Sequence, residues 1–111
     1  MNKFELYCMI YYVLDAEWDE SKNAELGAFL SGANPFLFAD IGSADPMVYA
    51  HFCENISGEI TIENSYSIAS EYITGLGSEV ISAAFSTIDE REWIESVKDY
   101  LSQDHKGSML Q

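Results

Sequence analysis

Apolar residues recur at helical spacing through most of this chain, between breaks marked by Gly27, Gly32, Pro35, Gly42, Pro46, Gly58, Gly75, Gly77 and Gly107. The clearest start signal is Asp45 followed by Pro46. Aspartate is a good N-cap, and proline at the first helical position has its φ preset and no N–H to satisfy. Behind it Tyr49, Phe52, Cys53 and Ile56 fall at i, i+3, i+4, i+7, one face of a helix. A second stripe starts near Thr61 and runs Ile62, Tyr66, Ala69, Ile73, Leu76, with Gly75 and Gly77 as its stop. Ser78 caps a short segment carrying Val80, Ile81, Ala84, Phe85 and Ile88. Thr87 or Asp89 then caps a last one, where Trp93, Val97, Tyr100 and Leu101 repeat on one face. Glu90 and Glu92 fall in its first turn, where carboxylates favour the positive end of the dipole. A further helix is expected from about Glu20 to Ser31, with Leu26, Phe29 and Leu30 inward.

The opening segment, Phe4 to Leu14, is apolar nearly all round. That fits a buried central helix and also a strand buried on both faces. Its length favours helix, whereas its tyrosines and β-branched residues favour strand. Only Glu59 to Ile62 offers a strand partner. The expectation is an all-α domain of five or six short helices, with α+β, the opening segment being a strand, as the alternative. One domain is expected for 111 residues, with residues 105–111 as a flexible polar tail containing a solvated His105.

Charge changes this picture most. Nineteen acids oppose five lysines and arginines, a formal charge of −14. Such density makes the folded state repel itself, and a duplex phosphate backbone or an anionic membrane would be repelled too. Nucleic acid and membrane are therefore not expected partners; a basic protein is. With 48% hydrophobic and 14% aromatic residues, the chain has ample core material and does not read as a disordered acidic tail. The apolar run Leu6 to Leu14 is too short to span a bilayer and too tyrosine-rich for a signal peptide, so a cytoplasmic protein is expected. Cys8 and Cys53, far apart and without a CxxC, read as reduced apolar groups.

Catalytic and metal-binding readings are weak. His51 falls beside the apolar face of its helix and reads as half-buried. It lies two residues from Cys53, a spacing that keeps the side chains from facing each other. Asp15, Glu17 and Asp19 alternate as a calcium loop begins, but Glu20 stands where the sharp-turn glycine belongs and Leu26 where a bidentate glutamate belongs. No phosphate-binding glycine loop or nucleophile elbow is present. No enzyme activity, cofactor or metal site is expected. The candidate binding residues are Asp15, Glu17, Asp19 and Glu20 around Trp18, an aromatic framed by charge, and the row Glu92, Glu95, Asp99 on the last helix. The apolar residues of the Asn34 to Asp45 loop, Phe36, Leu37, Phe38 and Ile41, read as plugs into the core.

Three stretches carry a resemblance: FELYCMIYYVL at the start, NPFLFADIGSADPMVYAHF from Asn34 to Phe52, and ITIENSYSIASEYI from Ile60 to Ile73. Together they resemble small acidic immunity proteins of bacterial contact-dependent growth inhibition, the antidotes to polymorphic toxins, over residues 3 to 106. The resemblance implies a cytoplasmic protein that binds and neutralises one cognate toxin domain, often a nuclease. It implies no particular contact residue. The alternative is an acidic regulatory or nucleic-acid-mimicking module that binds another basic protein.

Overall fold

The computed structural model describes residues 1–108. It contains six helices: α1 (Lys3–Ser21), α2 (Ala24–Ala33), α3 (Pro46–Asn55), α4 (Ile62–Gly75), α5 (Glu79–Phe85) and α6 (Glu90–Leu101). Among the described residues there is no strand, so the opening segment and the stretch around Ile60 do not pair. The Cα radius of gyration is 13.0 Å, close to the ~13 Å of a compact domain this size.

Caps define the helices where side chains can compete for backbone N–H groups. Asp45 accepts from Met47 N at 3.0 Å, and Ser78 accepts from Ile81 N at 3.2 Å. Thr61 and Asn64 form a reciprocal box at 3.1 and 2.8 Å. At the last helix Asp89, not Thr87, is the cap, accepting from Glu92 N at 2.8 Å.

The first connection differs from expectation. α1 does not stop near Leu14. It continues to Ser21 and ends with Lys22 at φ 50, whose N–H bonds Trp18 O at 2.7 Å. The next helix therefore begins at Ala24, capped by Asn23, rather than at Glu20. The acids from Asp15 to Glu20 are interior and C-terminal residues of a 19-residue helix. None of them is a cap.

α1 is the centre of the fold. Phe4, Leu6, Tyr7, Cys8, Met9, Ile10 and Leu14 are buried on every side of its first three turns, as an all-round apolar sequence requires. α5 and α2 pack closely along it, α3 and α4 reach it less, and α6 packs on α4. Two polar groups deep in this core are paired, whereas Tyr100 Oη is buried without a partner. Tyr7 Oη donates to Ala33 O at 2.5 Å, and Trp93 Nε1 donates to Ser65 Oγ at 2.8 Å. Both cysteines are free, with Cys8 buried and Cys53 half-buried. Burial pushes the Cys8 thiol up to about 12, an inert group.

The last segment is not a solvated tail over its described part. His105 Nε2 lies 2.7 Å from Glu5 Oε2, and both side chains are about nine-tenths buried. Its other ring nitrogen, Nδ1, faces Gln103 O at 2.7 Å. A carbonyl only accepts, so Nδ1 donates, which turns Nε2 to the Glu5 carboxylate. Gly107 (φ 86) passes so close to Phe4 that a Cβ there would lie 2.6 Å from the ring. Asn2 Nδ2 donates to Gly107 O at 3.2 Å. The expectation for residues 109–111 lies outside the described residues.

Candidate functional site: an acid-rimmed groove between α1 and α6

With α6 resting on α4 and the C-terminal half of α1 extending past it, a groove opens between the two. Its floor is apolar: Met9, Tyr12, Val13 and Ala16 from α1, with Ile88 from the turn before α6. Glu17 and Glu20 stand on the α1 rim and Glu92 on the α6 rim. Further along, past Tyr12 and Ser96, the same groove continues between Phe36 and the acids Asp99 and Asp104.

Helical spacing explains which acids arrive here. Residues 9, 13, 16, 17 and 20 of α1 share one face, and so do 92, 96 and 99 of α6. Four of the residues singled out from sequence are therefore brought together: Glu17, Glu20, Glu92 and Asp99. The others go elsewhere. Asp15 and Trp18 face α2, where they line a small recess with Tyr11 and Gly27. Trp18 is half-buried there. Its Nε1 would lie 2.6 Å from a Cβ on Gly27, so only glycine lets the indole settle on α2. Lys22 Nζ stands 4.2 Å from its ring centroid. Asp19 pairs with Lys22 at 3.2 Å and Glu95 with Arg91 at 3.6 Å, both in the open.

Ion pairing sorts the acids further. Among the described residues only three pairs form, engaging Asp19, Glu95 and Glu5. None of the five acids along the groove, Glu17, Glu20, Glu92, Asp99 and Asp104, takes part in one of these pairs. Their charge is available to a visitor, whereas that of Asp19 and Glu95 is partly spent.

The loop between α2 and α3 adds an apolar shoulder and corrects an expectation. Phe36, Leu37, Phe38 and Ile41 do not plug the core; they are exposed, Leu37 at 67%. Phe36 stacks on Tyr12 with ring centroids 5.3 Å apart, and Tyr12 meets Tyr100 edge-on at 5.8 Å. Tyr12, itself 43% exposed, thus joins the shoulder to the groove floor. Lys106 holds the loop from behind: its Nζ donates to Phe38 O at 2.7 Å and to Pro35 O, and lies 5.0 Å from the Phe38 ring centroid. One of the five basic side chains therefore fixes the loop backbone and itself lines this end of the groove.

Sequence reasoning missed Tyr12, Val13, Ala16, Ile88 and Ser96. The signal was the stripe Met9, Val13, Ala16, Glu20, which becomes visible only if α1 is continued beyond Leu14.

The remaining chemistry-bearing groups do not form a reactive set. His51 is exposed rather than half-buried, and lines a surface pocket with Ser57, Glu71 and Tyr72. Among the described residues no hydrogen bond joins it to Ser57 or Glu71. No three His, Cys, Asp or Glu side chains among them converge in a way that could hold a metal ion. No helix of the described residues is long and apolar enough to cross a membrane.

Comparison of the chain with protein-family models, with curated proteins and with solved structures finds no match.

Proposed function

We propose that this chain captures a basic protein in the cytoplasm, and that it is an immunity protein that neutralises a cognate, nuclease-type toxin domain. In this reading it occludes the toxin's active site or an adjacent exosite. The observation that carries the capture half is the convergence of unpaired Glu17, Glu20, Glu92 and Asp99 on one apolar-floored groove. An apolar centre with a charged rim is the anatomy of a protein interface. The toxin half is supported by the resemblance of the Phe4–Leu14, Asn34–Phe52 and Ile60–Ile73 stretches to immunity proteins. A nuclease presents a basic cleft, and a field of this sign steers such a cleft inward faster than the ~10⁵–10⁶ per molar per second of an unsteered encounter.

The test is the association rate with a candidate toxin domain, sought among the products of adjacent genes. An equimolar complex is expected, with an on-rate that falls steeply as salt is raised. A salt-independent on-rate would sink the steering mechanism, and the absence of a complex would sink the immunity assignment.

A further inference from the structure

We infer that the groove between α1 and α6 receives an amphipathic α-helix of the partner, with an apolar stripe flanked on both sides by lysine and arginine. The inference rests on the capture reading for the partner's basic character; the form of the docking segment comes from the groove.

The floor and rims set the side-chain pattern of the occupant. Met9, Val13, Ala16 and Ile88 offer no hydrogen bond through their side chains, so the face that lies on them is apolar. Acids stand on both walls, Glu17 and Glu20 against Glu92, and none has a cation of its own. A segment with one charged edge would leave one wall unanswered. Cations are therefore needed on both flanks of the apolar stripe.

The backbone sets its conformation. Both walls are helices, whose interior N–H and C=O groups are already paired within the helix. Among the described residues no strand edge lies anywhere in the molecule. An extended segment laid on this floor would find no backbone partners, and each buried unpaired amide is costly. A helix satisfies its own, which makes this the helix-in-groove mode of recognition and not strand addition. The α1 wall from Met9 to Glu20 spans about 17 Å, some three helical turns, the length of a short helix. Tyr12, wedged between Phe36 and Tyr100 at the middle of the continuous groove, is the anchor such a helix would press on.

The probe is a synthetic helix of about twelve residues with leucines at i, i+3, i+4, i+7 and lysine or arginine on both flanks. One control has the same composition scrambled around the helix, and another carries a central proline. Isotope-labelled protein is titrated with each at physiological salt, and amide shifts and peptide circular dichroism are followed. Shifts should centre on Tyr12–Glu20 and Ile88–Asp99, with the peptide gaining helix. The scrambled and proline peptides should bind at least about tenfold more weakly, and so should the designed peptide to the exposed-site variant Tyr12→Ala or to Glu20→Lys. Equal affinity for all three peptides, or shifts confined to Phe36–Met47, would overturn the inference. The peptide experiment needs no toxin. If the designed helix binds and the neighbouring toxin does not, the immunity reading fails and the groove assignment stands. If the toxin binds without displacing the helix, the groove assignment fails and the immunity reading stands.

Discussion

Two acidic stretches meet across one groove, yet they occupy opposite ends of their helices. Glu90 and Glu92 lie in the first turn of α6, behind the Asp89 cap, where the dipole and the free N–H groups favour negative charge. Asp19 and Glu20 lie in the last turn of α1, where negative charge opposes the dipole and the cap residue Lys22 pairs with Asp19 but not with Glu20. Glu90 and Glu92 have a structural reason to be there. Those of α1 have none within this chain: Glu17, half-buried, and Glu20 are unpaired, and Glu20, exposed in the last turn, is locally unfavourable. Groups kept against local preference are the ones to suspect of function. The difference separates acids that help build the fold from acids with no role in it, to which the proposed capture would give one.

Charge reversal gives the largest effect with which to break this contrast. Glu17→Lys with Glu20→Lys is expected to weaken binding of the proposed basic partner by about 2–5 kcal/mol per broken pair. The urea midpoint should stay level or rise, because the new charges suit the helix end. A fall in that midpoint matching the lost affinity would show that the α1 acids are structural after all.

An alkaline titration separates surface from core. Burial raises the Cys8 thiol from 9.0 to about 12 in the fold, and burial raises Tyr72 from 10.0 to about 12. Above about pH 9 the unfolded chain ionises first while the folded one holds its protons. Their contribution is intact below that pH and lost as pH climbs toward 12. The loss from Cys8 is on the order of 2 kcal/mol by about pH 11. Denaturation curves of Cys8→Ala should decline less over this interval than those of the parent protein; parallel curves would place the loss elsewhere.

Smaller effects test the α6 side. Asp89→Ala removes the cap and should cost about 1 kcal/mol in chemical denaturation. Glu92→Gln should destabilise by about 0.3–1 kcal/mol through the dipole while also slowing toxin capture. The mirror experiment is the smallest: Glu20→Gln should stabilise the fold by a few tenths of a kcal/mol. If Glu92→Gln and Glu20→Gln shift stability in the same direction, the contrast between the two helix ends fails.

Much of the fold was legible because it was written locally. Asp45 with Pro46, Thr61 and Ser78 each satisfy N–H groups within three residues, so short windows place those helix starts. The stripes of α4 and α6 point inward as their spacing requires. The end of α1 was not legible, because nothing near Leu14 stops a helix and the acids beyond it look like a start signal. What carries α1 to Ser21 is packing: Trp18 docks on Gly27 of a helix that follows it, a contact with no local trace. The Phe36–Ile41 loop misled for a related reason. Hydrophobicity predicts burial, but here the core is already filled by α1 and α3, and Lys106 ties the loop outside it.

The sequence by itself determined the helical class, most of the caps, the inward faces and the excess of negative charge. Those properties depend on composition and on neighbours a turn apart. Only the tertiary structure decided which acids act together. Glu17 and Glu92 are seventy-five residues apart, and they face each other because α6 rests on α4 rather than on α1. Net charge is a sum over the chain, but a binding site is a place. Long-range packing of apolar faces converted a diffuse −14 into two walls around an apolar floor.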